Sequence, residues 1–561
     1  MSRKGACRFP FLSSSRLSSL LASLLLISLI TVITCISLLL PTYSKGKLST
    51  RLLISLACRA ASSPQACESS LILTPLALHD SPARLVTISI ALAQQRTQVC
   101  HAQSQALLPV ASSDPNLVSA AHNCEYLLRR ASYVLQKGCT LCDGSSNNIA
   151  FAGAVGFDKI KDMEAWMSAA LTWENDCYSA LGYVNGTHSR DMSFHSHSGD
   201  DLTQSSADGS KNTAFFLNQS EMQHFELLSH GAIDTLNVTA QFGSSHADEA
   251  IHYLMQCVQI AINFTSNALS MLDAYDTHGA NVSAWSPPSK RTLPGYQAFR
   301  KRWIMPQRCQ VKGKTIITGN LNAQMPGVST YDTATVAVDG DEFIACYITI
   351  ENLAQPDRHQ AVALRVGSDR SAFYHCSFLG HQDTLYAHSL RQYYQSCRIE
   401  GTIDFIFGNA ASVFQNCEVL IRPGCISWSA ITAHGRTDPA QTTGFVFEDC
   451  IINGTNEFME SFILNPKKYK VYLGRPWKPF SRTIYKSSWI ERVVRPEGWR
   501  PWRGDFALST LFYGEYNNMG IGAGFEGRVK WAEQISSSMA MLYTVSNFIQ
   551  GDEWLLDFVT K

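Results

Sequence analysis

Short strand-forming segments recur about every 20 residues in the C-terminal half of this 561-residue chain. Each segment places a cysteine among aromatic and β-branched residues, and the five segments cover 343–348, 373–378, 393–399, 413–419 and 446–452. The three central cysteines, Cys376, Cys397 and Cys417, are 21 and 20 residues apart. Strands that recur at such a period are typical of a β-solenoid, in which each repeat forms one rung. The sequence therefore predicts stacked rungs of short strands in this half of the chain.

Two carboxylates follow the same period, because Asp383 and Asp404 are 21 residues apart. We expect them on adjacent rungs, about 4.8 Å apart in the stacking direction. Two such carboxylates do not both ionise readily, so one should become a proton donor and the other a base or nucleophile.

Three further polar residues fit the same site. Gln360 and Gln382 are 22 residues apart, so their amides are placed to donate hydrogen bonds to a developing oxyanion. Arg475 is able to hold one carboxylate through a bidentate pair. Asp and Gln at solenoid turns also cap strand ends, so spacing alone leaves a structural role open.

Five motifs, in order along the chain, resemble the signature segments of plant pectin methylesterases. They read H-Q-A-V-A-L-R-V (359–366), G-H-Q-D-T-L-Y (380–386), G-T-I-D-F-I-F-G-N-A (401–410), T-A-H-G-R-T-D-P (432–439) and Y-L-G-R-P-W (472–477). With the C-terminal stretch 506–555, the resemblance covers nearly all of 312–555. It implies a right-handed parallel β-helix that removes methyl esters from pectin homogalacturonan without a metal or cofactor.

The resemblance also implies a role for each polar residue. Asp404 matches the nucleophile that attacks the ester carbonyl, and Asp383 matches the acid that protonates the leaving group and then activates water. Gln360 and Gln382 match the positions that stabilise the oxyanion, and Arg475 matches the arginine that orients the nucleophile.

Two tryptophans, Trp477 and Trp499, match aromatic positions that line the sugar cleft of the family. Aromatic faces suit the apolar side of a sugar ring. A buried position in the core is the alternative interpretation of Trp499.

The chain departs from the family at the start of the catalytic domain. Family members carry several dozen residues, with a G-x-Y-x-E motif, before the segment that reads K-G-K-T-I-I-T-G here (312–319). Only 293–311 stands in that place, without the motif and without alternating strand pattern. We therefore expect truncated N-terminal rungs, an exposed strand edge and a domain that is unstable or inactive.

The N-terminal region, 1–45, carries a targeting signal. An uncharged run of 24 residues, 17–40, follows a basic segment and is long enough to span a bilayer. A signal-anchor that contacts the membrane is the first interpretation, and a cleaved signal peptide is the second. Both predict passage through the secretory pathway to the cell wall. Six glycosylation sequons agree with this route: Asn185, Asn218, Asn237, Asn263, Asn281 and Asn453.

Residues 46–283 show apolar positions at helical spacing, and they resemble the pectin methylesterase inhibitor domain, a four-helix bundle that often precedes the enzyme. The resemblance implies two disulfides, Cys58 with Cys67 and Cys124 with Cys177. It also implies that the bundle is able to bind pectin methylesterase domains. The segment 183–250 is expected to be an insertion without a counterpart in that family.

The net charge and the spacing of possible metal ligands limit the classes of function that this chain is able to have. Lys plus Arg equals Asp plus Glu, at 46 each, which gives no net charge to favour nucleic acid. Cys139-x-x-Cys142 and His195-x-His197 lack a second ligand pair at the spacing of a metal site, so no metal is predicted. The linker 284–311 begins with a segment rich in Pro and Ser. Its residues 290–293, Lys-Arg-Thr-Leu, stand where the resembled family often carries a basic processing site, in a weakened form, and a dibasic pair that occurs by chance is the alternative interpretation.

The sequence thus predicts a pectin methylesterase, 312–561, behind an inhibitor-like domain. One alternative is a catalytically impaired homologue whose bundle binds other pectin methylesterases. Another is a pectate lyase, which the absence of an Asp-rich calcium cluster opposes.

Overall fold

The computed structural model describes residues 50–74, 81–109, 111, 114–142, 157–184, 247–288 and 315–555. The N-terminal region 1–45, residues 185–246 of the expected insertion 183–250, and residues 289–311 of the linker and lead 284–311 lie outside the described residues. The two ends of the expected insertion belong to the long helices that flank it. So do the sequons Asn185, Asn218 and Asn237, the pair His195 and His197, and the processing site at Lys290. No helix in the described part of the chain is long and apolar enough to cross a membrane.

The N-terminal half of the described chain is helical. Its helices are α1 (50–58), α2 (Pro64–Leu73), α3 (Pro82–Leu107), α4 (Pro115–Cys142), α5 (Phe157–Val184) and α6 (Ala247–His278). The four long helices form a bundle in which α3 contacts α4 and α6, and α5 contacts the same two helices. The bundle forms because each long helix buries an apolar stripe, with Trp173 and Leu171 of α5 in the shared core.

Three disulfides among the described residues cross-link the helices of this bundle. Cys58–Cys67 joins α1 to α2, and Cys124–Cys177 joins α4 to α5, so both pairings implied by the resemblance are formed in the structure. A third disulfide, between Cys100 of α3 and Cys257 of α6, was not predicted from the sequence.

The C-terminal half is a parallel β-helix, and the predicted class of a helical bundle followed by a β-helix is confirmed. From β1 to β19, every third strand belongs to the same sheet, and the last two strands, β20 and β21, both extend sheet C. Sheet A stacks β1-β4-β7-β10-β13-β16-β19, sheet B stacks β17-β14-β11-β8-β5-β2, and sheet C stacks β21-β20-β18-β15-β12-β9-β6-β3. All the pairings between these strands are parallel, as the rung interpretation requires.

The strands are short, as the 20-residue period demands. Their bounds are β1 (Thr315–Gly319), β2 (Val336–Val338), β3 (Ile344–Cys346), β4 (Ile348–Asn352), β5 (Leu364–Val366), β6 (Ser371–Tyr374), β7 (Ser377–Leu379), β8 (Leu385–Ala387), β9 (Arg391–Gln395), β10 (Arg398–Gly401), β11 (Ile403–Gly408), β12 (Ala411–Gln415), β13 (Glu418–Ile421), β14 (Trp428–His434), β15 (Gly444–Glu448), β16 (Ile451–Gly454), β17 (Lys470–Gly474), β18 (Arg482–Lys486), β19 (Trp489–Ile490), β20 (Phe512–Tyr516) and β21 (Ala532–Gln534). Four short helices complete this half: α7 (Asn456–Leu464), α8 (Ser537–Met541), α9 (Val545–Ile549) and α10 (Gly551–Trp554).

An aromatic ladder runs through the core of the β-helix. The rings of Phe373, Tyr394, Phe414, Phe447 and Tyr485 stack on successive rungs, with centroids 5.0, 4.7, 4.6 and 4.5 Å apart. These distances match the spacing of neighbouring strands, so each ring packs on the ring of the rung before it.

The repeated cysteines sit at the corner between sheets C and A. The thiols of Cys397, Cys417 and Cys450 each donate to a backbone carbonyl of an earlier rung, at 3.3–3.4 Å. The residues that precede Cys376, Cys397, Cys417 and Cys450 have left-handed backbones, with φ of 52–54°: His375, Ser396, Asn416 and Asp449. Tyr347, at the same corner of the first described rung, follows Cys346 and has a φ of 55°. This conformation turns the chain sharply enough to begin the next sheet.

The first described rung is open on its outer side. Within the described residues β1 pairs only with β4, and β3 pairs only with β6. Their apolar side chains are exposed, Ile316 by 56% and Ile344 by 46%. The expected truncation itself falls on residues outside the described part.

The helical bundle packs against one side of the β-helix, near the turns that follow sheet B. Arg130 of α4 donates to Asp339 at 2.8 Å and to the carbonyl oxygen of Gly367. Asp162 of α5 accepts from Arg370 and Arg391, each at 2.7 Å.

Further contacts of the same interface lie nearer to sheet B. Thr172 accepts a hydrogen bond from Asn409 at 2.9 Å, and the Asp176 carboxylate lies 2.9 Å from His388 Nε2. Since Asn409 directly follows β11, helix α5 reaches the end of a strand that carries a predicted catalytic residue.

Candidate active site

Asp383 and Asp404 lie on neighbouring rungs of sheet B. Leu385 of β8 pairs with Ile406 of β11, which places the two carboxylates, each two residues earlier, side by side. The backbone N–H of Asp383 donates to the carbonyl oxygen of Ile403 at 3.1 Å. Both aspartates have left-handed backbones, with φ of 63° and 49°, a costly conformation that clusters at functional sites.

Arg475, which directly follows β17, donates hydrogen bonds from two of its nitrogens to the Asp404 carboxylate. Nε lies 2.9 and 3.1 Å from the two carboxylate oxygens, and Nη2 lies 2.5 Å from Oδ2. Both side chains are buried, so the fork fixes the direction of the carboxylate and compensates its charge.

The environment of Asp383 is different. Burial and, secondarily, the negative charge of Asp404 raise its pKa well above the ordinary range, and the more distant Arg475 opposes this only in part. Asp383 therefore favours its protonated form more strongly than an exposed carboxyl group does, and it lies adjacent to a carboxylate held by an arginine.

Gln360 and Gln382 are also neighbours. Their backbones form a parallel bridge, and the N–H of Ala361 donates to the carbonyl oxygen of Gln382 at 3.1 Å. Both side chains are buried, one on the rung of Asp383 and one on the rung before it. The structure thus brings all five predicted polar residues to one region of sheet B.

The two predicted tryptophans have different surroundings. Trp477 is half-buried and makes an edge contact with Phe407, at 6.0 Å between centroids. Trp499 is 1% exposed, stacks on Tyr513 at 4.1 Å and donates to Glu515 at 3.0 Å. Trp499 therefore belongs to the core and does not line a cleft, because its ring stacks on Tyr513 and its N–H donates to Glu515 in the interior of the β-helix.

Other aromatic residues, not predicted from the sequence, surround the carboxylates. Tyr386 stacks on Phe407 at 4.1 Å, and Trp502 lies 4.0 Å from the Arg475 guanidinium. Tyr386 and Phe407 are 21 residues apart, the same separation as the two aspartates. That period is the signal in the sequence that identifies them as neighbours on adjacent rungs. Trp502 has no such signal.

The remaining predicted residues are outside this site. Asn263 and Asn281 are exposed on the bundle, whereas Asn453 lies half-buried in β16 and accepts from the N–H of Gly454 at 2.8 Å. In the described ranges, no group of three or more His, Cys, Asp or Glu side chains is arranged to hold a metal ion.

Two family models match this chain. Residues 301–552 match the model described as pectinesterase, and 52–210 match the model described as plant invertase/pectin methylesterase inhibitor. The chain is 36% identical over 542 residues to a probable pectinesterase/pectinesterase inhibitor 64 of Arabidopsis thaliana, which covers 89% of this chain and 84% of that protein.

Other relatives match less than half of the chain. Pectinesterase 2 of Citrus sinensis is 50% identical over 248 residues, 43% of this chain and 47% of that protein. A solved pectin methylesterase from carrot is 47% identical and covers 44% of this chain and 76% of that one, with a TM-score of 0.42. From its two matching domains and its near full-length relative, the chain belongs to the pectinesterase/pectinesterase inhibitor family.

Proposed function

We propose that this protein hydrolyses methyl esters of pectin homogalacturonan, with Asp404 as nucleophile and Asp383 as general acid and base. The observation that carries the proposal is the difference between two adjacent carboxyl groups. Asp404 is paired with Arg475, whereas the pKa of Asp383 is raised by burial and by Asp404 itself. The relatives described above are named as pectinesterases, which supports the same reaction.

In the first half of the reaction, an Asp404 oxygen attacks the carbonyl carbon of the methyl ester, and the carbonyl oxygen gains the electron pair. The Gln360 and Gln382 amides are placed to donate hydrogen bonds to that oxyanion. As the C–O bond to methoxide breaks, Asp383 transfers its proton to the leaving oxygen and methanol forms. Asp404 is left as an acyl anhydride with the substrate.

In the second half, Asp383 is a carboxylate and takes a proton from water. The water oxygen attacks the substrate carbonyl of the anhydride, and the bond between that carbon and the Asp404 oxygen breaks, which restores the Asp404 carboxylate. The galacturonic acid that forms loses its remaining proton to solvent, and Asp383 is again protonated. Tyr386, Phe407 and Trp477 form an aromatic surface in which Trp477 is the partly exposed member, and its ring suits the apolar face of a sugar.

Methanol release from methylated pectin tests this assignment. Asp404→Asn should abolish release, and Asp383→Asn should slow it by at least about 10²-fold, the usual cost of losing a general acid. Asp357→Asn, at an exposed carboxylate of the same domain, is the matched control and should keep the parental rate. If both site variants matched the parent while folded, another group would carry the chemistry.

The bundle is proposed to restrain access to this site in the same chain. The contacts of α5 with Asn409 and His388 place the inhibitor-like domain beside the aromatic surface. Since that face of the bundle is occupied by its own β-helix, the alternative of a protein that only binds other pectin methylesterases is less well supported.

We also propose that the protein acts in the cell wall. Disulfides and exposed sequons at Asn263 and Asn281 suit the secretory pathway. Whether 17–40 is a membrane anchor or a cleaved signal is decided by N-terminal sequencing of the secreted protein.

A further inference from the structure

A second arginine lies next to the one that holds Asp404. The backbone of Gly474 bridges to that of Trp499, and the N–H of Arg500 donates to the carbonyl oxygen of Gly474 at 3.0 Å. Arg500 therefore lies one strand spacing beyond Arg475, on the face that carries the catalytic residues.

One indole ring contacts both guanidinium groups. The guanidinium carbon of Arg500 lies 4.4 Å from the ring centroid of Trp428, and that of Arg475 lies 4.9 Å from the same ring. Tyr472 adds a second ring at 5.7 Å from Arg500. Cation–π attraction of this kind orients a guanidinium while its N–H groups stay available as donors.

The two arginines differ in how their charge is compensated. Arg475 is buried and has the Asp404 carboxylate, whereas Arg500 is half-buried, with no Asp or Glu of the described residues within 4.0 Å of its side-chain nitrogens. Because Asp404 compensates the charge of Arg475, Arg500 adds a positive charge that no carboxylate of the described residues compensates within 4.0 Å. Such a site favours an anionic ligand.

We propose that Arg500 binds the free carboxylate of a galacturonate unit that neighbours the methyl ester under attack, with Trp428 and Tyr472 positioning the guanidinium. The inference rests on the proposed function, because each turnover creates such a carboxylate. An arginine fork matches a carboxylate bidentately and matches a methyl ester poorly, since the ester has no negative charge. Partly de-esterified pectin would therefore bind better than fully esterified pectin.

Binding of two unesterified trisaccharides tests the proposal on the full chain. The probes are trigalacturonate and its carboxyl-reduced, neutral analogue, with both dissociation constants measured by titration calorimetry. Arg500→Gln should lower the preference for the acid about tenfold, as expected for loss of one charge-assisted contact. Arg500→Lys should retain part of the preference, and higher salt should weaken binding of the acid.

Arg492→Gln is the matched control, because Arg492 precedes β20 in the same connection but is exposed and makes no aromatic contact among the described residues. It should leave the preference unchanged. The proposal is overturned if Arg500→Gln weakens both probes equally, if Arg492→Gln has the same effect, or if the full chain binds no trigalacturonate. Neither probe has a methyl ester, so failure of the proposed esterase reaction shows separately, as absent methanol release.

Trp428→Ala provides a second measurement. It should reduce the preference for the acid by loosening Arg500, while Trp428→Phe, which keeps a ring, should restore most of it. If the Trp428 ring only filled space, Trp428→Ala would change the dissociation constants of both trisaccharides by the same factor.

Discussion

At the scale of single residues, buried carboxyl groups of this protein differ in what compensates their charge. Asp404 has an arginine fork, whereas Glu174 in the bundle core has, among the described residues, two hydroxyl partners, Thr97 at 2.7 Å and Thr265 at 3.0 Å. Neutral donors offset little of the cost of burying a negative charge. Burial accordingly raises the pKa of Glu174 from 4.5 to about 8.

The raised pKa of Glu174 predicts a bundle that loses stability as pH rises. The folded state binds the proton more tightly than the unfolded state, so its contribution is full below about pH 4.5 and declines up to about pH 8. Each pKa unit corresponds to about 1.4 kcal/mol of unfolding free energy. Glu174→Gln should flatten this decline in urea unfolding curves recorded from pH 4.5 to 8.

Glu68→Gln on α2 is the control and should keep the parental pH dependence. Part of the slope should survive in Glu174→Gln, because burial also raises the pKa of Glu164 to about 8 and of Asp273 to about 6. An unchanged slope in Glu174→Gln would mean that this carboxyl is not buried as a neutral acid.

At the scale of elements, the rungs are not equally protected. β1 is paired on one side within the described residues and exposes Ile316, whereas β9 and β12 are paired on both sides and buried. In a solenoid, each rung is stabilised mainly by its neighbours. A rung with one neighbour should therefore open more often.

Amide exchange followed by mass spectrometry should show this gradient. Peptides over 315–341 should exchange faster than peptides over 373–414 at the same pH. The other end of the stack offers the comparison, because α8 to α10 cover sheet C and should slow exchange in β20. Equal protection of the first and central rungs would show that other parts of the chain shelter β1.

The rungs were predictable from sequence because their signal is local. Cys376, Cys397 and Cys417 repeat at the rung period, and the two aspartates follow it, so stacking could be read by counting residues. The Cys100–Cys257 disulfide was not predictable in this way, since it depends on which helices of the bundle become neighbours. Trp499 was ambiguous because a core tryptophan and a cleft tryptophan follow the same strand pattern.

At the scale of the whole molecule, the interface between bundle and β-helix is rich in ion pairs. Asp162 bridges Arg370 and Arg391, and Arg391 retains a second carboxylate, Asp369, at 2.7 Å. Removing Asp162 therefore weakens the interface without leaving Arg391 unpaired. That makes Asp162 a selective site at which to separate the two halves.

If the bundle restrains the active site, Asp162→Asn should raise the initial rate of methanol release by the full chain. The expected gain is severalfold, since the lost pairing across a partly buried interface is worth about 1–3 kcal/mol. Asp248→Asn, an exposed acid in the first turn of α6, should leave the rate unchanged. A lower rate in Asp162→Asn, with folding intact, would show that the bundle supports the site instead.

Because of the Cys100–Cys257 disulfide, proteolytic cuts in two different stretches of the chain should have different consequences. It spans the stretch between Val184 and Ala247, so a cut anywhere within that stretch leaves two fragments covalently joined until a reductant is added. A cut between 289 and 314 has no disulfide of the described residues across it. After that second kind of cut, the contacts of the described residues that keep the inhibitor-like half beside the enzyme are all noncovalent, so we expect dilution to separate the two halves.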